Sequence, residues 1–217
     1  KYLQPVIASD KGRYAGEPIA VVVADSRAIA EDALELIEID IEPLEPVADW
    51  KASERDSSLL FVENGTNVAV RYKVELGDAE AAFKSADYVR SETFRAHRHT
   101  ANPMETRGMV AEWHAAAGRM TVTAATKVNF HNRRILAPMM GLAEHDIDMI
   151  ELDVGGGFGV RGEFYPEDFL IPFTARHIGR SVKWIEDRRE HMLAANHSRE
   201  IDCELSIACR KDGTILG

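Results

Sequence analysis

The residues best suited to chemistry form a glycine-rich segment, residues 153–164, which reads DVGGGFGVRGEF. Gly157, Gly159 and Gly162 match the G-x-G-x-x-G pattern of dinucleotide-binding loops. The segment is richer in glycine than that pattern requires, since four of the five residues 155–159 are glycine. Successive glycines let backbone N–H groups approach an oxygen-rich ligand closely, because no Cβ hinders the contact. The segment therefore predicts a ligand-binding loop, for a pyrophosphate or for another group rich in oxygen.

A dinucleotide-binding domain is one interpretation of this loop. The apolar run IDMIEL precedes it, a helix is predicted from Pro166, and Glu186 or Asp187 falls where a ribose-binding acid would lie. Glu163 and Glu167 count against a dinucleotide, because carboxylates near a helix start compete with a phosphate. A tight strand-to-helix turn that binds nothing is the alternative to both kinds of ligand site.

Other reactive residues have ordinary structural explanations. His97 and His99 point to one face of a predicted strand, but zinc needs three or four protein ligands and no third is evident. Surface or hydrogen-bonded histidines are therefore favoured. Glu105 has a carboxylate of the kind that acts in catalysis. The alternative is that it is a buried and hydrogen-bonded carboxylate with a structural role. Cys203 and Cys209 share the apolar face of one strand, which predicts small core residues.

Composition excludes several classes of protein. The chain has 217 residues, of which 45% are hydrophobic and 29% are charged, and its formal net charge is −10. An acidic chain is a poor partner for nucleic-acid phosphates, so a sequence-independent nucleic-acid binder is excluded. No run approaches the length of a membrane-spanning helix. Two cysteines do not make a disulfide framework, which predicts a reducing cytoplasm.

A β-α-β unit is predicted for the first 50 residues, which precede the part of the chain that contains the glycine-rich loop. Residues 19–24, IAVVVA, predict a buried strand, and Asp25 or Ser26 is the predicted cap of the following helix. Residues 36–42 alternate in the manner of a second strand. Residues 51–66 are polar and without periodic pattern, which predicts a linker or surface loop and a domain boundary.

The rest of the chain predicts short strands and helices in mixed order. Predicted strands cover 67–76, 87–99, 146–154, 181–186 and 200–210, with a hairpin over 109–126 that turns at Gly118; predicted helices cover 77–86, 129–141, 166–179 and 187–193. The turn signal KDGT follows the last strand, and the strand edge left there predicts that the natural polypeptide continues. The fold class predicted is α+β, a mixed α/β chain.

Longer stretches resemble one enzyme family. Residues 153–200, ANPMETRG at 101–108 and GLAEHDIDMIELDVGGGFG at 141–159 are similar to the molybdopterin-binding large chains of the molybdenum hydroxylases. That family includes xanthine dehydrogenase, aldehyde oxidase and aerobic carbon monoxide dehydrogenase. Residues 10–47 resemble the C-terminal part of the α/β hammerhead domain that precedes the molybdopterin domain. The resemblance implies a hammerhead part at 1–50, a linker at 51–66 and the first part of the molybdopterin-binding domain at 67–217.

The resemblance also implies chemistry, cofactor and partners. Family members oxidise an aldehyde, an N-heterocycle or CO with oxygen drawn from water, at a molybdenum held by a pterin dithiolene, and electrons leave through Fe–S clusters to FAD. The cofactor contacts it implies are Gly156, Gly157, Phe158 and Gly159. The family's general-base Glu lies beyond Gly217, so neither a catalytic residue nor a metal ligand is assigned in this chain. The partners implied are the remainder of the large subunit, an iron–sulfur subunit, an FAD subunit and a small-molecule substrate.

Two departures from the family pattern bear on the substrate. Gly162 stands where the purine-oxidising branch would carry Glu, which argues against purine oxidation. The Gln found near the metal in some branches is absent, and His97 and His99 occupy the nearest positions. Two other functions are kept as alternatives: an NAD-binding oxidoreductase domain of Rossmann type, and a non-catalytic α+β assembly module.

Overall fold

The computed structural model describes residues 2–217 and contains six α-helices and six β-strands within that range. The helices are α1 Arg27–Leu34, α2 Trp50–Glu54, α3 Ala79–Ser85, α4 Asn129–Met140, α5 Pro166–Ile178 and α6 Arg188–Ala194. The strands are β1 Tyr88–Ala96, β2 Gly108–His114, β3 Arg119–Ala124, β4 Ile147–Glu151, β5 Val182–Ile185 and β6 Ile201–Cys209. Helices and strands are interspersed along the chain, which confirms the mixed α and β class.

A four-stranded sheet with the order β4-β3-β2-β5 carries the glycine-rich loop at one of its strand ends. β2 and β3 form an antiparallel hairpin that turns through Gly118, whose φ of 64° lies in the left-handed region. β4 runs parallel to β3 on one side, and β5 runs antiparallel to β2 on the other. The hairpin and its turn residue confirm the sequence-based prediction.

The hydrophobic core lies between this sheet and helices α4 and α5. Alternate residues of β3 are buried, as a strand with one covered face requires, and they meet apolar side chains of both helices. The core residues with the least exposure are Ala111, Met120, Val122, Leu136, Ala137, Ile147 and Ala175. Packing of these side chains sets the position of β4 and α5, the two elements that flank the glycine-rich loop.

A separate two-stranded sheet pairs β1 with β6 in antiparallel register, from Tyr88 opposite Cys209 to Ala96 opposite Ile201. Both strands and the turn after β6 agree with the sequence-based prediction. The expectation that Cys203 and Cys209 are core residues is wrong, since both are only partly buried. The physical reason is that no second layer within residues 2–217 covers this face, on which Leu205 is also exposed.

Helix ends follow their local signals closely. Ser26 caps α1 by accepting a hydrogen bond from Ile29 N, and Asp78 caps α3 in the same way through Ala81 N. α4 ends at Gly141, which adopts the left-handed conformation predicted for it. Pro166 is the first residue of α5, where its missing N–H costs no helical hydrogen bond.

Three strand predictions are wrong. Residues 19–24, 36–42 and 67–76 belong to no strand, and many of their apolar side chains are exposed, among them Leu76 at 95% and Val74 at 81%. Alternating apolar residues favour a strand only where a second strand is available to pair with it. Within residues 2–217, these three runs have no pairing partner.

Residues 51–66 are more ordered than a featureless loop. They include most of α2 and a short 3₁₀ turn at Val62–Asn64. Asn67 closes the segment: its side-chain oxygen accepts from Leu60 N at 2.9 Å, and its Nδ2 donates to Ser58 O at 2.7 Å. Asp56 accepts from Asn67 N in turn.

Candidate functional site

The glycine-rich loop leaves β4 at Glu151 and reaches α5 through a 3₁₀ turn at Val160–Gly162. Its backbone is unusual at three positions: Gly156 has a φ of 105°, Gly159 a φ of 102° and Phe158 a φ of 47°. A positive φ is readily available to glycine but costs energy for phenylalanine. The loop is therefore held in a conformation that its own local preferences do not favour throughout.

The loop presents free hydrogen-bond donors. The backbone N–H groups of residues 156–159 donate no hydrogen bond within residues 2–217. The carbonyls of Gly157 and Gly159 are engaged within the loop, since they accept from Val160 N and Gly162 N at 3.0 Å each. The ring of Phe158 is 78% exposed beside these donors. Four successive N–H groups without an acceptor, next to an apolar ring, are the kind of donors that an oxygen-rich group binds.

The segment PMETRG lies directly against this loop. Glu105 Oε2 accepts from Gly155 N at 2.8 Å, and Glu105 N donates to Gly155 O at 3.3 Å. A Cβ at Gly155 would lie 2.6 Å from the Cβ of Glu105, and one at Gly156 would lie 2.9 Å from the Cβ of Pro103. Glycine at these two positions is thus required for the close approach of the two chain segments.

Arg161 is buried beneath the loop. Its Nη1 donates to Ala125 O at 2.7 Å, and its Nη2 donates to Glu105 O at 2.8 Å and Thr106 O at 2.7 Å. Nη2 also lies 3.2 Å from Glu105 Oε2. Burial lowers the pKa of the Arg161 guanidinium below its ordinary value, although the charge of Glu105 opposes the shift. Sequence reasoning missed this residue, and the only available signal was a cation inside a glycine-rich loop.

A second cluster of charges, here called the buried charge centre, lies under the same segment: Arg107, Glu167, Glu186 and His191. Arg107 donates from Nη2 to Glu186 Oε1 at 2.6 Å and from its backbone N to Oε2 at 3.0 Å. Its Nη1 donates to Glu167 Oε2 at 3.1 Å, and His191 Nδ1 lies 3.0 Å from Glu186 Oε2. Burial raises the pKa of Glu186, but hydrogen bonds and charge from Arg107 outweigh it and hold that pKa below its ordinary value.

The buried charge centre overturns the dinucleotide interpretation. Asp187, one of the two predicted ribose-binding acids, is the cap of α6 and accepts from Glu190 N at 2.7 Å. Glu186, the other, is 1% exposed and is bound to Arg107 and His191. The strand that carries it, β5, is separated from β4 by β3 and β2, whereas a nucleotide-binding β-α-β unit has its two strands side by side. The pattern of glycines matches a dinucleotide loop, but the surrounding strand order does not.

Other predicted candidates do not gather at the loop. His97 and His99 follow β1 and are exposed, and His99 is engaged through its backbone N, which donates to Ser198 Oγ at 2.7 Å. Glu105 is hydrogen-bonded as expected, but its side chain is 43% exposed rather than buried. In the described part of the chain, no three His, Cys, Asp or Glu residues are grouped as a metal would require. No helix there is long and apolar enough to cross a membrane.

Comparison with known proteins gives a consistent result. The family described as molybdopterin cofactor-binding domain matches residues 61–217. The nicotine 6-hydroxylase large subunit of Paenarthrobacter nicotinovorans is 37% identical over 213 residues, which cover 98% of this chain and 26% of that protein. The carbon monoxide dehydrogenase large chain of Afipia carboxidovorans is 33% identical over 228 residues, covering 99% of this chain and 28% of that protein.

Solved structures agree with the sequence comparison. Quinoline 2-oxidoreductase from Pseudomonas putida 86 superposes with a TM-score of 0.90 at 36% identity, over 98% of this chain and 27% of that one. The aldehyde oxidoreductase of Desulfovibrio gigas shares the fold with a TM-score of 0.87 at 23% identity. The chain thus spans about a quarter of the length of the relatives it matches.

Proposed function

The chain belongs to the molybdopterin cofactor-binding domain family of the molybdenum hydroxylases, and we propose that it forms one wall of the cofactor site in such an enzyme's large subunit. In this proposal residues 1–50 end a hammerhead-like domain, 51–66 link the two parts and 67–217 begin the molybdopterin-binding domain. The match of the family to residues 61–217 supports a boundary near the end of the linker.

The residues proposed to contact the cofactor are Gly156, Gly157, Phe158 and Gly159. The observation that carries this assignment is the row of four backbone N–H groups without an acceptor in residues 2–217. Those donors suit the oxygen atoms of a molybdenum–pterin group, and Phe158 offers an apolar wall that limits water. When bound, the cofactor would supply the redox centre, while the loop would bind and orient it by hydrogen bonds that need no charged side chain.

The proposed reaction is oxidation of an aldehyde, an N-heterocycle or CO with oxygen from water. Electrons would pass to Fe–S clusters and FAD on partner domains or subunits, and the rest of the large subunit would supply the general base. The names of the relatives, a nicotine 6-hydroxylase and a quinoline 2-oxidoreductase, make N-heterocycles the class to test first.

The presence of two unpaired cysteines, Cys203 and Cys209, supports a cytoplasmic location.

Metal and cofactor analysis of the purified full-length complex tests this function. We expect about one molybdenum and one pterin per large chain, since the proposed oxidation depends on a bound cofactor. Anaerobic titration with quinoline, an aldehyde and CO should then bleach the flavin with one of the three. A folded complex that contains neither molybdenum nor pterin would contradict the proposal and favour the non-catalytic assembly module.

A further inference from the structure

We propose that Glu105 and Arg161 are positioning residues that hold the glycine-rich loop with its free donors turned toward the cofactor. The inference rests on the proposed function for the identity of that ligand, but the geometry of the two residues stands without it. Together they are called the Glu105–Arg161 clamp. They act through the main chain of the loop, and they are not assigned to the chemical step.

Arg161 joins three separate segments of the chain. Its guanidinium donates to the carbonyl of Ala125 just after β3, and to the carbonyls of Glu105 and Thr106 in the PMETRG segment. Arg161 itself belongs to the 3₁₀ turn that ends the loop. A planar guanidinium with several fixed donors holds such a junction more rigidly than a single-point cation would. Its 3% exposure keeps water from competing for these carbonyls.

Glu105 determines where the row of free donors begins. Its carboxylate accepts a hydrogen bond from the N–H of Gly155, and its backbone N donates to the carbonyl of the same residue. The next four N–H groups, at residues 156–159, have no acceptor within residues 2–217. Arg161 Nη2 lies 3.2 Å from the same Glu105 oxygen, so that oxygen has a second donor besides Gly155 N. The two residues therefore act on the loop as a unit.

The clamp is fixed to a folded element. Arg188 of α6 donates from Nη2 to Pro103 O at 2.7 Å and to Met104 O at 3.0 Å. His191 of the same helix places Nε2 2.9 Å from Ala101 O. These contacts hold the backbone next to Glu105 against α6. The clamp therefore fixes the loop relative to α6.

The loop needs such support because part of its conformation is unfavourable. Phe158 has a positive φ, and the N–H groups of residues 156–159 gain nothing from partners in residues 2–217. Without the clamp, the free donors would turn toward water or toward nearby carbonyls. Loss of the clamp is therefore expected to disturb the loop first and the core of the sheet much less.

The test uses the full-length holoenzyme complex with Glu105→Ala, Glu105→Gln, Arg161→Met and Arg161→Lys. Arg176→Met is the matched control, because Arg176 also donates to a main-chain carbonyl, that of Met140, but at the far end of α5. Three quantities are measured: amide hydrogen exchange at Gly155, Val160 and Gly162, whose N–H groups are hydrogen-bonded within the chain, molybdenum per folded chain, and the Mo(V) electron paramagnetic resonance spectrum. If Arg161→Met fails to fold, Glu105→Ala still tests the inference. Its folding is less at risk because the Glu105 side chain is 43% exposed.

We expect Glu105→Ala and Arg161→Met to raise loop exchange rates about tenfold or more, the effect of losing charge-assisted hydrogen bonds. Molybdenum per chain should fall, or the spectrum of what is retained should shift. Glu105→Gln should rescue most of the loss because its amide oxygen still accepts from Gly155 N, and Arg161→Lys should rescue only part. Arg176→Met should lower the melting temperature without either loop effect.

Two results separate the failure of this inference from the failure of the proposed function. The positioning role would be overturned if Glu105→Ala and Arg161→Lys kept the exchange rates, the molybdenum content and the Mo(V) spectrum of the wild type. A change in overall stability would not alter that conclusion. A wild-type complex without molybdenum would overturn the proposed function instead. In that case loop exchange alone decides the clamp: rates that rise in both variants support it, and unchanged rates reject it.

Discussion

Two arginine–glutamate pairs each have one member in the PMETRG segment, and they differ in burial. Arg107 and Glu186 are both buried, with side chains 9% and 0% exposed, and Glu186 is also bound by His191. Arg161 is equally buried, at 2%, but its partner Glu105 is 43% exposed. The first pair joins β2, β5 and α6 within the folded layer. The second pair connects that layer to the glycine-rich loop.

The contrast shows how one short segment supports both the fold and the site. A fully buried ion pair contributes little net energy, yet removing one partner leaves an unpaired charge and is strongly destabilising. In the Glu105–Arg161 clamp, the carboxylate accepts from the Gly155 N–H and the guanidinium donates to main-chain carbonyls beside the loop. We therefore expect this pair to determine the position of the loop more than overall stability. Substitutions at the buried pair, in the loop and at a neighbouring carboxyl group test this difference, and the largest effect is expected at the buried pair.

The largest effect is expected from Glu186→Ala. It leaves the buried Arg107 guanidinium and His191 without their common carboxylate, which should lower the free energy of unfolding by about 3–5 kcal/mol. Urea unfolding of the full-length chain, followed by tryptophan fluorescence, measures the change.

Arg119→Ala is the control for Glu186→Ala. Arg119 pairs with Asp148 on the surface, and the loss of that exposed pair should cost less than about 1 kcal/mol. The supposed difference between buried and exposed pairs would be contradicted if both variants lowered the free energy of unfolding by the same amount.

A smaller effect is expected at the loop, from Gly156→Ala compared with Gly159→Ala. Both glycines have a φ near 100°, so the backbone of an alanine is strained at either position. Only at Gly156 would the new Cβ also lie 2.9 Å from Pro103 Cβ, whereas nothing lies within 4 Å at Gly159. Gly156→Ala should therefore cost about 1–3 kcal/mol more in unfolding free energy. Equal costs would show that the PMETRG segment does not press on the loop.

The smallest effect is expected from pH, at Asp168 beside the buried charge centre. Burial raises the pKa of Asp168 from 3.8 to about 6, although the Tyr165 N–H and Arg107 oppose the shift. A raised carboxyl pKa means that the folded state binds the proton more tightly than the unfolded state does. This contribution therefore favours folding below about pH 4 and is lost as pH rises to about 6.

Asp168→Asn should remove that pH dependence. The free energy of unfolding of the wild type, relative to the variant, should fall by about 1–2 kcal/mol between about pH 4 and pH 7. Urea unfolding at several pH values measures it, and the variant at each pH is the control. Parallel curves for the two proteins over this range would mean that the Asp168 carboxyl is not held in an environment that favours its proton.

Local signals in the sequence predicted much of the fold. Ser26, Asp78 and Gly141 mark helix ends because a cap depends on residues only three or four positions away. The hairpin at Gly118 was predictable for the same reason. The strands at 19–24 and 67–76 were mispredicted because pairing depends on a distant second strand, which an alternating pattern does not reveal.

By itself, the sequence determined the glycine-rich loop, its place between a strand and a helix, and the resemblance to the molybdenum hydroxylases. Only the tertiary structure decided which polar residues serve that loop. Glu186 accepts a hydrogen bond from Arg107, which lies 79 positions away in the sequence. Arg161 donates to the carbonyls of Ala125 and Glu105, which lie 36 and 56 positions away. Residue type and spacing specify what a side chain is able to bind, but burial and strand order determine which partner it meets.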